Sequence, residues 1–305
     1  MPLGNAPRPQ SERGVTVETL KKNPMSVVED HREAERYFSD AGLNASTIKA
    51  CVASLNPIQI VIDRGVAQQS ISTTSPAMVL GSAAHTMILE GAGVYKGLYA
   101  VEPSVDRRTK VGKSTLAAWL LDHGNKTAIK PEADILVRGM SEKVKGCAHA
   151  KQFLRNGKAE GAYYWIDGET GAKCKARLDY VQDGLVVDLK TCKDASISGF
   201  TSAVGNFRYH VQAAWYLRAY RECTGLEPKG FVFVAVESKP PHTVGVYELD
   251  ADTLSAADEI CGMALRLWAR HTAGDKLETN YGPLQTIGLW PSALHNKNKE
   301  SEANT

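Results

Sequence analysis

The clearest alternation of apolar and polar positions runs over residues 173–191, where it predicts two strands joined by a tight turn at residues 182–184. Side chains alternate between the two faces of a strand, so Asp188 and Lys190 are expected on one face and the apolar residues beside them on the other. Asp179 on the first strand is expected across the hairpin from Asp188. Two carboxylates and an ammonium at one edge of a sheet are costly unless they bind something, and a divalent cation between the acids is the simplest compensation.

Hydrophobic periodicity elsewhere predicts a chain of both helices and strands. Helices are predicted over residues 43–52, 78–90, 114–123, 131–154, 209–221 and 252–273. Further strands are predicted over residues 163–166, 231–237 and 243–249. Short helices are predicted within 17–38, and a loop or irregular helix over 193–208. Residues 1–20 are predicted to be disordered, 21–290 to form one domain, and 291–305 to be a flexible tail.

Composition narrows the class of protein. A chain of 305 residues with 43% hydrophobic and 23% charged residues can bury a sizeable core as an ordinary globular protein. Its net charge of +2 means that any basic surface for nucleic acid must be local. The 6 cysteines are scattered without a C-x2-C pair, which argues against a zinc ribbon, a clustered iron–sulfur site or a disulfide framework. We therefore expect a reducing, cytoplasmic environment. The sequence shows neither a signal peptide nor an apolar run of about 18 residues, the length that a membrane-spanning helix needs.

Four further polar residues occupy positions at which they could serve a site. His85 lies on the apolar face of the predicted helix 78–90, where a histidine is by default part of the core. Glu160 follows the predicted helix 131–154, where a glutamate is normally a solvated charge. Gln212 and Tyr216 lie one turn apart on one helix face, although a tyrosine there is ordinarily core and a glutamine ordinarily surface.

Two basic segments are candidates for contact with a nucleic-acid backbone. The first is a predicted loop that carries Arg107, Arg108, Lys110 and Lys113. Its Gly-Lys-Ser end is like that of a phosphate-binding P-loop. The glycine that a P-loop requires five residues before this glycine is an arginine here, so we reject a nucleoside triphosphatase. The second is one face of the strand before Asp179. The basic residues expected on that face are Lys173, Lys175 and Arg177. For both segments the alternative is an ordinary solvated surface.

Seven of these residues, taken in chain order, form a more specific pattern than any one of them alone. They are His85, Glu160, Asp179, the pair Asp188 and Lys190, and the pair Gln212 and Tyr216. The chain resembles the PDDEXK nuclease superfamily and, within it, the RecE-type exonucleases (exonuclease VIII) of phages and prophages. The resemblance covers about residues 43–249. It also includes the segments Gly81-Ser82-Ala83-Ala84-His85, 107–113, Lys173 to Asp179, Asp188-Leu189-Lys190-Thr191, Tyr209 to Gln212 and Glu237 to Pro241.

The resemblance implies a role for each residue of the pattern. Asp179 and Asp188 would be metal-binding acids, His85 would contact a second metal position, and Lys190 would orient or activate the attacking water. Mg²⁺ would be the metal, with Mn²⁺ as a possible substitute. The remaining residues are also implied to belong to the catalytic centre: Glu160 as an upstream acid, Gln212 and Tyr216 as its support and as contacts to DNA.

The resemblance further implies an α/β fold with a PDDEXK (restriction-endonuclease-like) core, a central mixed β-sheet flanked by helices. The implied activity is Mg²⁺-dependent hydrolysis of phosphodiester bonds from double-stranded DNA ends, 5′→3′, leaving 3′ single-stranded tails for recombination. A RecT-like single-strand annealing protein, a homo-oligomeric ring and a phage- or prophage-encoded origin in a bacterial cytoplasm are implied as well. The alternatives are an endonuclease or single-strand nuclease of the same fold, or a catalytically idle DNA-binding protein.

Overall fold

The computed structural model describes residues 27–29, 37, 40–51, 75–275 and 286. Its strands are β1 (Val27–Glu29), β2 (Tyr99–Val101), β3 (Thr127–Ile129), β4 (Lys158–Ile166), β5 (Lys173–Gln182), β6 (Leu185–Cys192), β7 (Gly230–Glu237) and β8 (Val244–Glu248). The predictions of a disordered N-terminus and of a flexible tail lie outside the described residues. None of the helices in the described segments is long and apolar enough to span a membrane.

Nine α-helices are present in the described residues. They are α1 (Ala45–Cys51), α2 (Pro76–His85), α3 (Ala92–Leu98), α4 (Lys110–His123), α5 (Pro131–Gly146), α6 (Ala148–Lys151), α7 (Ile197–Asn206), α8 (Tyr209–Thr224) and α9 (Ala251–Thr272). A π-helical turn, Thr86–Glu90, continues α2 to Gly91, whose φ of 96° ends it.

Six strands form the main sheet in the order β1-β4-β5-β6-β7-β8. Neighbours are antiparallel except β6 and β7, which run parallel and are joined through α7 and α8. The parallel pair needs this long crossover because a tight turn can join only antiparallel strands. The predicted α/β fold with a mixed sheet flanked by helices is confirmed. β6, which carries Asp188 and Lys190, lies inside the sheet and not at its outer edge.

Each face of the sheet is covered by its own apolar layer. One layer combines α1, α7, α8 and α9 with residues such as Trp165, Trp215 and Phe233. The other combines α2, its π-turn, α3 and α5 with residues such as Met140 and Leu189. Burial on both faces explains why β7 reads as a continuous apolar run, since a strand covered on both sides needs no alternation.

The hairpin between β5 and β6 forms at the predicted turn. Asp183 has φ 48° and Gly184 has φ 82°, the pair of positive values that a two-residue type I′ turn requires. An aspartate followed by a glycine tolerates this conformation better than other residues. The turn therefore sets the register of the two strands that carry the acids.

Several predicted boundaries differ from the structure for local reasons. Residues 27–29 form a strand paired with β4, not a helix. α4 begins four residues earlier than predicted, because the Thr109 side chain accepts a hydrogen bond from the Gly112 amide and caps the helix. The predicted helix 131–154 stops at Gly146 and resumes as the short α6. The segment predicted as irregular contains the regular helix α7, capped by Ser196.

Candidate active site

Asp179 and Asp188 lie where the backbone ladder between β5 and β6 ends. The ladder runs from Gln182 paired with Leu185 to Tyr180 paired with Val187. The same register would next pair Asp179 with Asp188. Instead, the Asp179 carboxylate accepts a hydrogen bond of 3.0 Å from the Leu189 amide. We call this opening the fork.

Three side chains at the fork bring possible metal ligands together. His85, Glu160 and Asp179 each offer one ligand atom, and these atoms lie within 4.8 Å of one another. The Nδ1 atom of His85 is 3.4 Å from Asp179 Oδ2 and 4.0 Å from Glu160 Oε1. One imidazole nitrogen and two carboxylate oxygens are ligands that suit a divalent cation. The predicted grouping of His85 and Asp179 is present, and Glu160 joins them.

Glu160 reaches the fork from β4 rather than from a loop after a helix. The strand register pairs Ala159 with Tyr180 and Gly161 with Leu178, which puts Glu160 opposite Asp179. Its φ of 55° is in the left-handed region, which residues with a Cβ seldom adopt and which costs of order 1 kcal/mol or more. Strain of this kind persists where surrounding contacts fix the residue.

Asp188 is fixed by two partners on the other side of the fork. It is 0% exposed. Its Oδ1 atom accepts a hydrogen bond of 2.9 Å from the Gln212 amide nitrogen, and the Lys190 ammonium contacts its Oδ2 atom. The same amide nitrogen donates to the Tyr216 hydroxyl at 3.0 Å. Asp188 is thus engaged with Lys190 and Gln212 and is not one of the three clustered ligand residues, so its own role as a ligand stays a prediction.

Core contacts of Trp215 hold α8 in an orientation that brings Gln212 and Tyr216 to the fork. The indole nitrogen of Trp215 donates to the Lys175 carbonyl at 3.0 Å, and the ring packs against Trp165 at 4.9 Å between centroids. Gln212 and Tyr216 are one helical turn apart, so both reach the same side. Both are buried, which differs from the ordinary surface position of a glutamine.

His85 is the last residue of α2, which packs close to β6. Ser75 caps the helix by accepting a hydrogen bond from the Met78 amide, and Pro76 begins it. A Cβ placed on Gly81, one turn before His85, would already lie 3.5 Å from the Thr191 hydroxyl. A small residue at 81 therefore lets the helix approach the strand closely enough to bring the imidazole to the fork.

The electrostatics of the fork are those of charges held away from water. Burial, with the positive charge of Lys190, lowers the pKa of His85 to about 4, so its imidazole is neutral and can act as a ligand. Burial and the nearby Asp179 raise the pKa of Glu160 to about 8, although the Arg177 guanidinium opposes this. Burial likewise raises the pKa of Asp179, against the effect of Lys190. Neighbouring buried acids of this kind would be ionised by a bound cation.

In the pair Asp188 and Lys190, the attraction between opposite charges counters the effect of burial on both pKa values. Burial raises the pKa of Asp188 to about 6, and Lys190 limits the rise. Burial also disfavours the charged form of Lys190, but the carboxylates of Asp188 and Asp179 outweigh it and raise the pKa of the ammonium. Lys190 is therefore held in its protonated form beside the acids.

The predicted basic strand face is not a continuous surface. Lys175 is buried, and its ammonium donates to the carbonyls of Tyr37 at 2.5 Å and Asp40 at 2.6 Å. The predicted contact of Lys175 with DNA therefore does not fit the structure, because the group is enclosed by the segment before α1. Arg177 is half-buried and holds Glu160 through a contact of 3.0 Å, so it belongs to the fork. Lys173 is exposed at the start of β5.

The four basic residues of the predicted loop are exposed and lie around the beginning of α4. Arg107 contacts Glu102, and Arg108 pairs with Asp106 at 3.1 Å. Lys110 and Lys113 are on the first turn of the helix, exposed to solvent. These positions are compatible with the predicted backbone contact but do not test it.

Two residues at the fork were not recognised in the sequence. Lys49 on α1 donates a hydrogen bond of 3.2 Å to the Gln212 carbonyl oxygen. The Tyr209 ring lies beneath the Lys190 ammonium, which is 4.9 Å from the ring centroid. A single lysine on a short helix carries no spacing signal, and Tyr209 was noted only as part of the helix that bears Gln212.

Comparison with known protein families identifies the family of this chain. A family model described as a PDDEXK-like domain of unknown function (DUF3799) matches residues 62–274. The chain belongs to this PDDEXK-like family. The match spans the elements from α2 to α9, which include all the residues of the predicted pattern, and it confirms the superfamily predicted from their order.

One solved structure supports the fold of this PDDEXK-like chain. A crystal structure of a protein from Eubacterium rectale, provisionally described as an exonuclease, aligns with a TM-score of 0.54 and 15% identity, over 93% of this chain and 99% of that one. An alkaline exonuclease from Laribacter hongkongensis aligns with a TM-score of 0.37 and 12% identity, over 78% of this chain and 96% of that one. At these identities the first likeness shows the fold alone. No curated protein sequence matches the chain.

Proposed function

We propose that this PDDEXK-like chain is a metal-dependent exodeoxyribonuclease that hydrolyses linear double-stranded DNA from its ends. The observation that carries the proposal is the convergence at the fork of His85, Glu160 and Asp179 with the buried pair Asp188 and Lys190. Such a group of acids, a neutral imidazole and a protonated lysine is suited to a substrate that gains negative charge as it reacts.

The donor set fits a divalent cation. His85, Glu160 and Asp179 would hold it, and Asp188 is the acid that the family pattern adds. A bound cation would offset charge on the phosphoryl oxygens and lower the pKa of a water ligand. Mg²⁺ is the metal we propose, with Mn²⁺ as a substitute, because oxygen-rich sites with few protein carboxylates suit both ions.

The residues of the chain contribute positioning and charge. Lys190 keeps its proton beside Asp188, so it presents a fixed positive charge to a phosphate or to an attacking water. Gln212 donates a hydrogen bond to Asp188 and another to the Tyr216 hydroxyl, so Tyr216 holds the amide that fixes the direction of that carboxylate. The buried surroundings strengthen each of these interactions because few water molecules compete.

The finer parts of the proposal rest on the resemblance to RecE-type exonucleases. We propose 5′→3′ polarity, production of 3′ single-stranded tails, a RecT-like annealing protein as a partner, and a homo-oligomeric ring in a bacterial cytoplasm. The exposed basic residues Arg107, Arg108, Lys110, Lys113 and Lys173 would contact the DNA backbone without reading its sequence.

One experiment addresses the activity and its direction. Linear duplexes blocked at either the 5′ or the 3′ ends, and a closed circular duplex, are incubated with the purified chain with Mg²⁺ or with EDTA. We expect digestion of linear duplex only with Mg²⁺, inhibited by the 5′ block. Cutting of the closed circle would instead indicate an endonuclease. Binding without digestion under all metal conditions would indicate an idle DNA-binding protein.

A further inference from the structure

Lys49 occupies a defined place beside the fork. α1 begins directly after a short backbone bridge between Leu43 and Cys174 of β5, and Asn44 caps it by accepting a hydrogen bond of 2.9 Å from the Thr47 amide. The apolar side of the helix, which includes Ile48, is buried against the core. Lys49 is thereby held with its ammonium 3.2 Å from the Gln212 carbonyl oxygen.

Lys49 and Lys190 approach the same aromatic ring. The ammonium of Lys49 is 5.8 Å from the centroid of the Tyr209 ring, and that of Lys190 is 4.9 Å from it. Two like charges are therefore gathered at one partly buried place. Lys190 is compensated by its contact with Asp188.

The surroundings of Lys49 differ from those of Lys190. Within the described part of the chain, no carboxylate lies within ion-pair distance of its ammonium, whose hydrogen-bond acceptor is the neutral amide of Gln212. Burial and repulsion by Lys190 lower the pKa of Lys49 to about 8, although Asp188 counters this in part. A half-buried cation whose contacts are a neutral acceptor and the face of the Tyr209 ring is costly unless an anion joins it.

We propose that Lys49 is a phosphate-binding residue, whose ammonium contacts a non-bridging oxygen of a DNA phosphate next to the fork. This inference rests on the nuclease function proposed above. A phosphate would give Lys49 the ion-pair partner that it does not have among the described residues. Lys49, held by Gln212 and Tyr209, would then fix the DNA backbone relative to Asp188 and Lys190.

A rival role for Lys49 is to orient the Gln212 amide. An ammonium can only donate, so it requires the carbonyl oxygen of Gln212 on its side and leaves the amide nitrogen toward Asp188. The two roles differ in what they require. Orientation needs any hydrogen-bond donor at residue 49, whereas phosphate binding needs a positive charge.

The test compares Lys49→Gln, Lys49→Met and Lys49→Arg with the wild-type chain. Glutamine can still donate to Gln212 but has no charge, whereas arginine keeps the charge. Binding of a linear duplex is measured in Ca²⁺ over a range of salt concentrations, digestion is measured in Mg²⁺, and thermal melts check the fold. Lys151→Met, an exposed lysine on α6, is the matched control.

We expect Lys49→Gln and Lys49→Met to weaken binding about tenfold or more, as for loss of a charged hydrogen bond, and to reduce the slope of log K against log salt by about 0.9. Lys49→Arg should bind close to wild type, and Lys151→Met should not change the slope. Wild-type binding and slope in a folded Lys49→Gln would overturn the inference and leave orientation of Gln212 as the role. If the wild-type chain digests DNA and Lys49→Gln binds and digests it equally well, only this inference is contradicted. If the wild-type chain neither binds nor digests DNA, the proposed function itself is contradicted.

Discussion

The fork and the basic segment 107–113 both concentrate charge, but they do so in opposite environments. At the fork, Asp188 is 0% exposed and is bound by a lysine and an amide. In the basic segment, the Arg108 side chain is 91% exposed and pairs with Asp106, two residues before it. Buried charges are costly and need partners, whereas exposed pairs contribute little because water and salt screen them. Removing a charge at the fork should therefore lower the rate of digestion strongly. Removing a charge in the basic segment should weaken DNA binding only slightly, and such losses should add.

The largest effect is expected for Asp188→Ala. It removes a buried acid and leaves Lys190 without its partner, so we expect digestion of linear duplex to fall by roughly 1000-fold or more, with DNA binding in Ca²⁺ largely kept. Because an unpaired buried charge can destabilise the fold by about 3–5 kcal/mol, Asp188→Asn and thermal melts serve as controls. Full digestion by a folded Asp188→Ala variant would remove the fork as the active site.

Lys190→Ala should rank next. Under the proposed function the ammonium would supply charge to the reacting phosphate rather than a metal ligand, so we expect a loss of roughly 100- to 1000-fold in kcat and a change of only a few-fold in metal affinity. Digestion over a Mg²⁺ titration separates the two quantities, and Lys190→Met controls for side-chain volume. If rate and metal affinity fall equally, Lys190 would be a structural residue that holds Asp188.

A smaller loss of activity is expected from Gln212→Ala and Tyr216→Phe. Gln212 contacts Asp188 directly, and Tyr216 contacts Gln212. Loss of an outer hydrogen bond to a metal-site residue typically costs about 10- to 100-fold, and Gln212→Ala, which removes the direct bond to Asp188, should cost more than Tyr216→Phe. Steady-state rates in saturating Mg²⁺ measure both. An equal or reversed order would contradict the arrangement in which Gln212 is the direct contact.

The basic residues provide the contrast. Arg108→Ser removes an exposed charge, so we expect binding to weaken only a few-fold at about 0.1 M salt and the salt slope to fall by about 0.9. Lys175→Met should leave that slope unchanged but destabilise the fold by about 1–3 kcal/mol, because two carbonyls lose a buried donor. Binding isotherms and urea unfolding separate the two. A reduced salt slope for Lys175→Met would mean that this lysine does reach DNA.

The hairpin and the order of the site residues could be predicted because their signals are local. An Asp-Gly turn, period-two alternation and the spacing of Asp188 and Lys190 each depend on a few neighbouring residues. The interior position of β6 could not be predicted, because it depends on β7 pairing with it after a crossover of two helices. A sheet edge and an internal fork present the same sequence pattern.

The position of Lys49 beside the fork and the burial of Lys175 depend on contacts between distant parts of the chain. Lys49 meets Gln212 across 163 positions, and Lys175 meets Tyr37 across 138. Alternation predicted that Lys175 shares a face with Asp179, but it could not tell that a remote segment encloses the Lys175 ammonium. Burial of a lysine is rare enough that an exposed position is the natural expectation from sequence.

The end of the ladder at the fork gives this chain an intrinsic spectroscopic probe. The Leu189 amide, which a regular hairpin would engage with a backbone carbonyl, donates to the Asp179 side chain. Its proton and nitrogen resonances should consequently respond to whatever happens to that carboxylate. Chains labelled with ¹⁵N-leucine would report on cation or DNA arriving at the fork through a single backbone signal, with no dye attached and no residue replaced.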